Sequence, residues 1–430
     1  VNLTNLSLRL SGYPIAAAKR KLQQLQAEVE RDYSAYAEAK KAEILKHHLS
    51  KNSFYQDLAG KFTDWDSLPV LTKSDLQQPL KNRLALGFSE QNIHKHKTSG
   101  SSGNPFIFAK DKFAHALTWA SIQDLYTGLG IDIRLPEARF YGIPKSGFEH
   151  YGERLKDVLS NRYRFPIFNA SSENFENFIR HFKTKKYGYL NGYTSSLVLF
   201  ARFLAEKGVV LKEICPSLTH CIVTAEILFP DDLKLLENQF GIPVINEYGA
   251  SETGIIAIGN ARSKLQIDNR LIFVEILDEH NRSVPEGVLG KIVITALFNK
   301  AHPFIRYEIG DLGALNYKDD LPVLSKLEGR MGDYALLPDG KKIPALAFYY
   351  VTKEIINDTG AVKEFKINQS QPDTFEILYV ADHVFAESEI QKLKQAMLHY
   401  FGQDVTIRVE RKTHLDRSTR GKLKQFTRSF

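Results

Sequence analysis

The order of hydrophobic and polar positions divides the chain into four zones. Residues 15–48 are rich in Ala, Lys, Gln, Glu and Leu and predict one long helix. After Trp65 the run Leu68-Pro69-Val70-Leu71-Thr72-Lys73-Ser74-Asp75-Leu76 places a Pro-punctuated lead-in before a capping residue, which predicts a second helix. From about 112 to 250 helical spacing near 112–127, 172–185, 192–207 and 230–240 is interleaved with short apolar runs at 139–143, 221–224 and 244–246. Helices alternating with buried strands predict an α/β layered domain.

From 270 to 297 the pattern becomes strand-rich, at 271–277 and 291–295, around a turn-like stretch. The last hundred residues read as a separate small α+β unit. There Phe365 and Ile367 alternate with Glu364 and Lys366. Ile390, Leu393, Met397 and Tyr400 share a helix face, and Val405, Ile407 and Val409 alternate again. The joint between the two parts is placed at 329–333, giving domains 1–329 and 330–430.

Composition narrows the class. The 430 residues are 43% hydrophobic and 25% charged, which excludes wholesale disorder, a collagen-like chain and a membrane bundle. Two or three domains are expected from the length. Two cysteines, Cys215 and Cys221, cannot make a disulfide framework, and there is no leader-like run, so a reducing cytoplasm is expected. The Val1 start suggests removal of an initiator Met or a tag. No run of 18 apolar residues exists, so no membrane span is predicted.

The net charge of +7 is concentrated at one end. Between Arg408 and Phe430 eight basic residues face only Glu410 and Asp416. Such an end suits nucleic acid, anionic lipid or a phosphorylated small molecule; alone, it reads as a solvated basic tail.

Several motifs could carry chemistry. Thr98-Ser99-Gly100-Ser101-Ser102-Gly103-Asn104-Pro105 combines glycines, which let backbone N–H groups turn toward an anion, with hydroxyl donors. It lacks the Gly-Lys-Ser/Thr ending of a Walker loop, and by itself reads rather as a flexible Ser/Gly linker. Asn246-Glu247-Tyr248-Gly249-Ala250-Ser251-Glu252-Thr253-Gly254 offers an aromatic face at a strand end and a carboxylate able to share Mg²⁺ with phosphates. Alone it reads as a turn with one exposed acid. Phe304-Ile305-Arg306-Tyr307-Glu308-Ile309-Gly310-Asp311 holds an Asp suited to two ribose hydroxyls and an Arg suited to phosphate, or a surface Arg–Asp pair. Glu328-Gly329-Arg330-Met331-Gly332-Asp333 looks like an interdomain joint, and Arg420-Gly421-Lys422 puts a mobile cation in the basic tail.

In this order, the motifs resemble the adenylate-forming superfamily, and within it the phenylacetate–coenzyme A ligase branch, from about residue 45 to 425. The branch assignment rests on the short N-terminal part and on the segment 68–76. The resemblance implies a large α/β N-terminal domain with a small mobile α+β C-terminal domain. It implies ATP-dependent activation of a carboxylic acid to an acyl-adenylate, then transfer to the thiol of coenzyme A, with an aryl or arylalkyl acid suggested.

Residue by residue, Thr98, Ser99, Gly100, Ser101, Ser102 and Gly103 would close over the ATP phosphates. Tyr248, beside Gly249, would stack adenine, and Glu226 would line the adenine pocket. Glu252 would hold Mg²⁺, Asp311 the ribose, and Arg306 and Arg330 further parts of the nucleotide. Lys422 would be the catalytic lysine and Gly332 the hinge.

Departures are Ser101-Ser102 for Thr-Thr, Asn104 for Lys and Gly332 for Asp. The resemblance further implies a cytoplasmic enzyme without nucleic-acid or membrane partners, often dimeric. Competing readings are another acceptor, transfer of AMP to a cofactor, and a non-catalytic nucleotide- or nucleic-acid-binding protein.

Overall fold

The computed structural model describes residues 3–97, 106–141, 148–167, 172–226, 228, 230–328, 334–344, 362–381, 383–401, 405–413, 415 and 426–430. The chain forms two compact units, one of residues 1–96 and 107–329, the other of 97–106 and 330–430.

The first unit is built on a mixed sheet. Its strands are β3 (Glu137–Phe140), β4 (Arg162–Arg164), β5 (Tyr189–Tyr193), β6 (His220–Thr224), β7 (Val244–Ala250), β8 (Gly254–Asn260), β9 (Leu265–Ile267), β10 (Ile272–Leu277), β11 (Gly290–Ala296), β12 (Tyr307–Lys318) and β13 (Leu321–Glu328). A separate pair, β1 (Ile93–Lys97) and β2 (Ile107–Asp111), precedes them in the chain. The sheet order is β10-β11-β12-β13-β9-β8-β7-β6-β5-β3-β4.

Strands β4, β3, β5, β6 and β7 run parallel, because helices Phe148–Leu159, Ser172–Thr184, Thr194–Lys207 and Pro230–Phe240 carry the chain back between them. From β7 onward the pairing is antiparallel. The predicted helical stretches within 112–240 therefore form, each within two residues of its expected position.

Behind the parallel strands Phe140, Phe165, Phe178, Phe182, Phe200 and Phe240 are almost wholly buried. Phe165 stacks on both Phe140 and Phe182, at 4.9 and 5.0 Å between centroids.

Two expectations change. The helix expected over 15–48 is two helices, Ile15–Arg31 and Tyr33–Lys51. Asp32 between them is extended, and its carboxylate accepts from the Ala35 amide at 3.0 Å, capping the second helix. The helix expected after Leu71 is only a turn. Thr72 donates to Asp75 through both its amide and its hydroxyl, each at 2.7 Å. The preceding Leu71 is instead engaged as a parallel bridge to Tyr307: its amide donates to the Arg306 carbonyl, and its carbonyl accepts from the Glu308 amide, both at 2.8 Å.

The second unit contains a strand pair, β14 (Tyr334–Leu336) and β15 (Lys342–Pro344), and a four-stranded sheet of β16 (Val362–Gln371), β17 (Thr374–Ala381), β18 (Thr406–Arg411) and β19 (Phe426–Arg428), in the order β18-β17-β16-β19. Phe365, Ile367, Phe375 and Ile377 pack with Leu393 and Met397 of helix Glu387–Phe401, as the alternation and helical spacing predict. No helix among the described residues is long and apolar enough to cross a membrane.

Candidate active site

Strand β7 turns into β8 through the three residues Ser251, Glu252 and Thr253. The turn is tight. A Cβ on Gly249 would stand 2.7 Å from the Gly254 carbonyl oxygen, and Gly254 has a φ of +100°, so both positions favour glycine. The tip folds inward, leaving Glu252 and Thr253 buried rather than exposed.

The beginning of β12 meets this hairpin. The Tyr248 hydroxyl donates to the Asp311 carboxylate at 2.9 Å, and the Tyr307 hydroxyl to Glu252 at 3.4 Å. Three strands, β8, β9 and β13, separate β7 from β12 along the sheet. These two contacts therefore require the sheet to curl, as twisted antiparallel sheets do. Tyr248 and Asp311, singled out separately in the sequence, are thus brought into contact, and Glu252 meets the first residue of the strand that carries Asp311.

Burial pushes the Glu252 carboxyl above its usual range, while Lys110 and Lys73 pull it down. Lys110 is itself buried, pushed down to about 8, and its Nζ donates to Thr118 Oγ1 at 3.3 Å. Among the described residues no three His, Cys, Asp or Glu side chains are grouped to hold a metal by themselves. A single buried carboxylate fits magnesium, which takes one or two protein carboxylates and completes its shell with phosphate oxygens and water.

Arg306 lies elsewhere. It is 1% exposed with φ +47°, and its Nη1 donates to the carbonyls of Trp65, Asp66 and Leu68 at 3.2, 2.6 and 2.8 Å. Its Nη2 lies 3.2 Å from Glu275. The guanidinium is enclosed by the frame, with Glu275 as its anionic partner, contrary to the expectation that it contacts phosphate. The Glu226 carbonyl accepts from Thr194 Oγ1 at 3.2 Å just beyond β6, after Ala225 at φ +67°. Thr98, Ser99, Gly100, Ser101, Ser102, Gly103, Asn104, Arg330, Gly332 and Lys422 lie outside the described residues.

The structure adds a polar chain that the sequence did not signal. The Tyr141 hydroxyl donates to Asn191 Oδ1 at 2.7 Å. Asn191 Nδ2 donates to the Tyr126 oxygen at 3.0 Å, and the Tyr126 hydroxyl to Glu247 Oε2 at 2.5 Å. Thr224 Oγ1 donates to the other Glu247 oxygen at 3.1 Å. Burial raises the Glu247 carboxyl, and these two donors oppose the rise. Beside the chain, Arg139 pairs with Glu137 at 3.0 Å and lies over the Tyr141 ring at 4.3 Å. Only the position of Glu247, next to the motif tyrosine at a strand end, could have pointed to it.

No family model matches the chain. It is 22% identical over 390 residues to Protein CapK of Staphylococcus aureus, covering 85% of this chain and 82% of CapK. It is 25% identical over 267 residues to a phenylacetate–coenzyme A ligase of Thermus thermophilus, covering 59% of this chain and 57% of that one. The match to a phenylacetate–coenzyme A ligase of Pseudomonas putida is 26% over 290 residues, covering 64% and 63%. The chain thus spans less than two thirds of either ligase.

Among solved structures it resembles 2-hydroxyisobutyryl-CoA ligase with 2-HIB-AMP and CoA in the thioesterification state, with a TM-score of 0.60 at 17% identity over 94% of this chain and 90% of that one. The same ligase in the postadenylation state gives 0.57 at 17% identity over 91% and 88%. At such identity the likeness is one of fold: a large mixed-sheet N-terminal domain with a small C-terminal sheet domain.

Proposed function

We propose, for a chain that belongs to the adenylate-forming superfamily as a distant homologue of phenylacetate–coenzyme A ligases and CapK, that it activates a carboxylic acid with ATP and passes the acyl group to coenzyme A. The observation that carries this reading is the hydrogen bond from Tyr248 to Asp311, with Glu252, on the hairpin that carries Tyr248, accepting from Tyr307 of the strand that carries Asp311. Tyr248 presents an aromatic face for adenine while its hydroxyl fixes the carboxylate that would accept from the ribose. Glu252 would hold magnesium, which neutralises charge on the phosphates when bound.

In the first half-reaction a substrate carboxylate oxygen bonds to the α-phosphorus and pyrophosphate leaves. In the second the thiol adds to the acyl carbon and AMP leaves. Lys422 is the residue the resemblance assigns to the first step, supplying positive charge where the transition state gathers negative charge. Gly332 is the proposed joint of the small domain.

The test is pyrophosphate release from ATP and Mg²⁺ across aryl, arylalkyl, hydroxy and fatty acids, with and without coenzyme A. Acid-dependent release, stimulated by coenzyme A and lost in Lys422→Ala while ATP still binds, is expected. Absence of release with every acid would overturn the reading. Release that coenzyme A leaves unchanged would select instead an acceptor other than coenzyme A.

A further inference from the structure

We propose that the acid activated here carries a hydrogen-bond donor, a hydroxyl or an ammonium group, remote from its carboxylate, and that Glu247 receives it. The inference rests on the acid activation proposed above and adds the chemistry of the acid.

Position comes first. Tyr141 follows the end of β3, Tyr193 and Thr224 close β5 and β6, and Glu247, midway along β7, is in register with Thr224. In open α/β sheets ligands bind beyond the carboxyl ends of the strands. Glu247 and Tyr248 are neighbours on one strand, so their side chains leave opposite faces. That of Tyr248 goes to Asp311, on the proposed nucleotide side, and that of Glu247 to Tyr126 and Thr224. The two faces of one strand thus carry the proposed nucleotide contact on one side and the polar chain on the other.

The direction of the hydrogen bonds comes second. From Tyr141 through Asn191 and Tyr126, and again from Thr224, every proton points toward Glu247. The chain uses up its donors and ends on a carboxylate. Each carboxylate oxygen takes about two hydrogen bonds, and each has one donor among the described residues. The nearby guanidinium of Arg139 is held by Glu137 and does not reach Glu247 as an ion pair within 4 Å. Glu247, Arg139, Tyr141 and Tyr193 are each partly open to solvent, whereas Asn191, Tyr126 and Thr224 are buried behind them.

An acid with an apolar far end would strip water from this carboxylate and return nothing, a poor exchange for a buried charge. A donor on the ligand completes the shell. The tilted ring pair of Tyr141 and Tyr193, 4.6 Å between centroids, would flank the carbon skeleton.

The experiment compares matched acids of one carbon skeleton bearing hydrogen, hydroxyl or ammonium at the end remote from the carboxylate. The readouts are kcat/KM for pyrophosphate release and, separately, ATP binding by calorimetry. Donor-bearing acids should exceed their hydrogen counterparts by at least about tenfold, since a site built around a polar group rejects the analogue that lacks it.

Glu247→Gln should shrink that ratio with ATP binding retained. A merely structural role would lower all acids together and leave the ratio intact. The wild-type ratio needs no variant, so a misfolded mutant does not protect the idea. Equal turnover of donor-bearing and donor-free acids would overturn this inference alone. No release with any acid, with ATP still bound, would overturn acid activation and this inference with it.

Discussion

Two regions of the large unit are held by opposite physics. Behind the parallel strands the contacts are between rings: Phe140, Phe165, Phe178, Phe182 and Phe200 interlock with no polar group among them. Where segment 65–71 meets the start of β12, the contacts are polar and buried. Arg306 gathers three carbonyls and faces Glu275; Arg83 donates to the Gln78 carbonyl, the Ile107 carbonyl and His302; His48 Nε2 lies 2.9 Å from the Asn299 carbonyl. Apolar packing tolerates small changes of shape, whereas a buried ion pair loses much when one partner goes. The region nearest the candidate site is therefore the less forgiving.

Three measurements would sharpen or break this contrast. Arg306→Ala should cost about 3–5 kcal/mol in chemical denaturation, because Glu275 would stay buried without its partner. A loss below about 1 kcal/mol would show that the weld contributes little. Phe200→Leu should cost less, about 1–3 kcal/mol, through a partly refilled cavity. A larger loss than that of Arg306→Ala would reverse the ranking.

Acid should act on the polar region first. Burial lowers His48 to about 4, and burial together with Arg83 lowers His302. Both are neutral when folded and take up a proton from about pH 6.5 downward when unfolded. Their stability is intact above that pH and is lost as pH falls toward the folded values, by up to about 1.4 kcal/mol per pH unit for each. Hydrogen exchange, corrected for intrinsic rates, should lose protection at 297–306 between pH 6.5 and 5.5 before it does at 194–207. Simultaneous loss would contradict the separation.

The same division explains what could be read from the chain. The helices and strands of 112–250 follow from spacing because their packing is apolar and periodic, and a periodic signal is local. Asp32 broke one predicted helix into two because a single capping side chain outweighed a good run of helix formers. Tyr248, Glu252 and Asp311 were legible as types, each beside the glycines its turn needs, but their meeting depends on the curl of the sheet.

Arg306 was misjudged for the same reason. Its motif looks like an anion site, yet its partners at Trp65 and Leu68 stand 241 and 238 positions away. Glu247 was passed over because Tyr126, its strongest donor, sits in a helix whose spacing shows only a core face.

The bridge from Leu71 to Tyr307 carries a consequence for how the protein is made. On the ribosome the N-terminal segment emerges early and its partner strand very late. Joining them closes a loop that encompasses more than half of the chain, and such closures add little once neighbouring structure exists but are slow to find before it does. Until β12 is released, the carbonyls of Trp65, Asp66 and Leu68 have no guanidinium to meet. A nascent chain stalled before residue 306 should therefore hold its ring-packed half folded while the segment 65–71 remains open to protease.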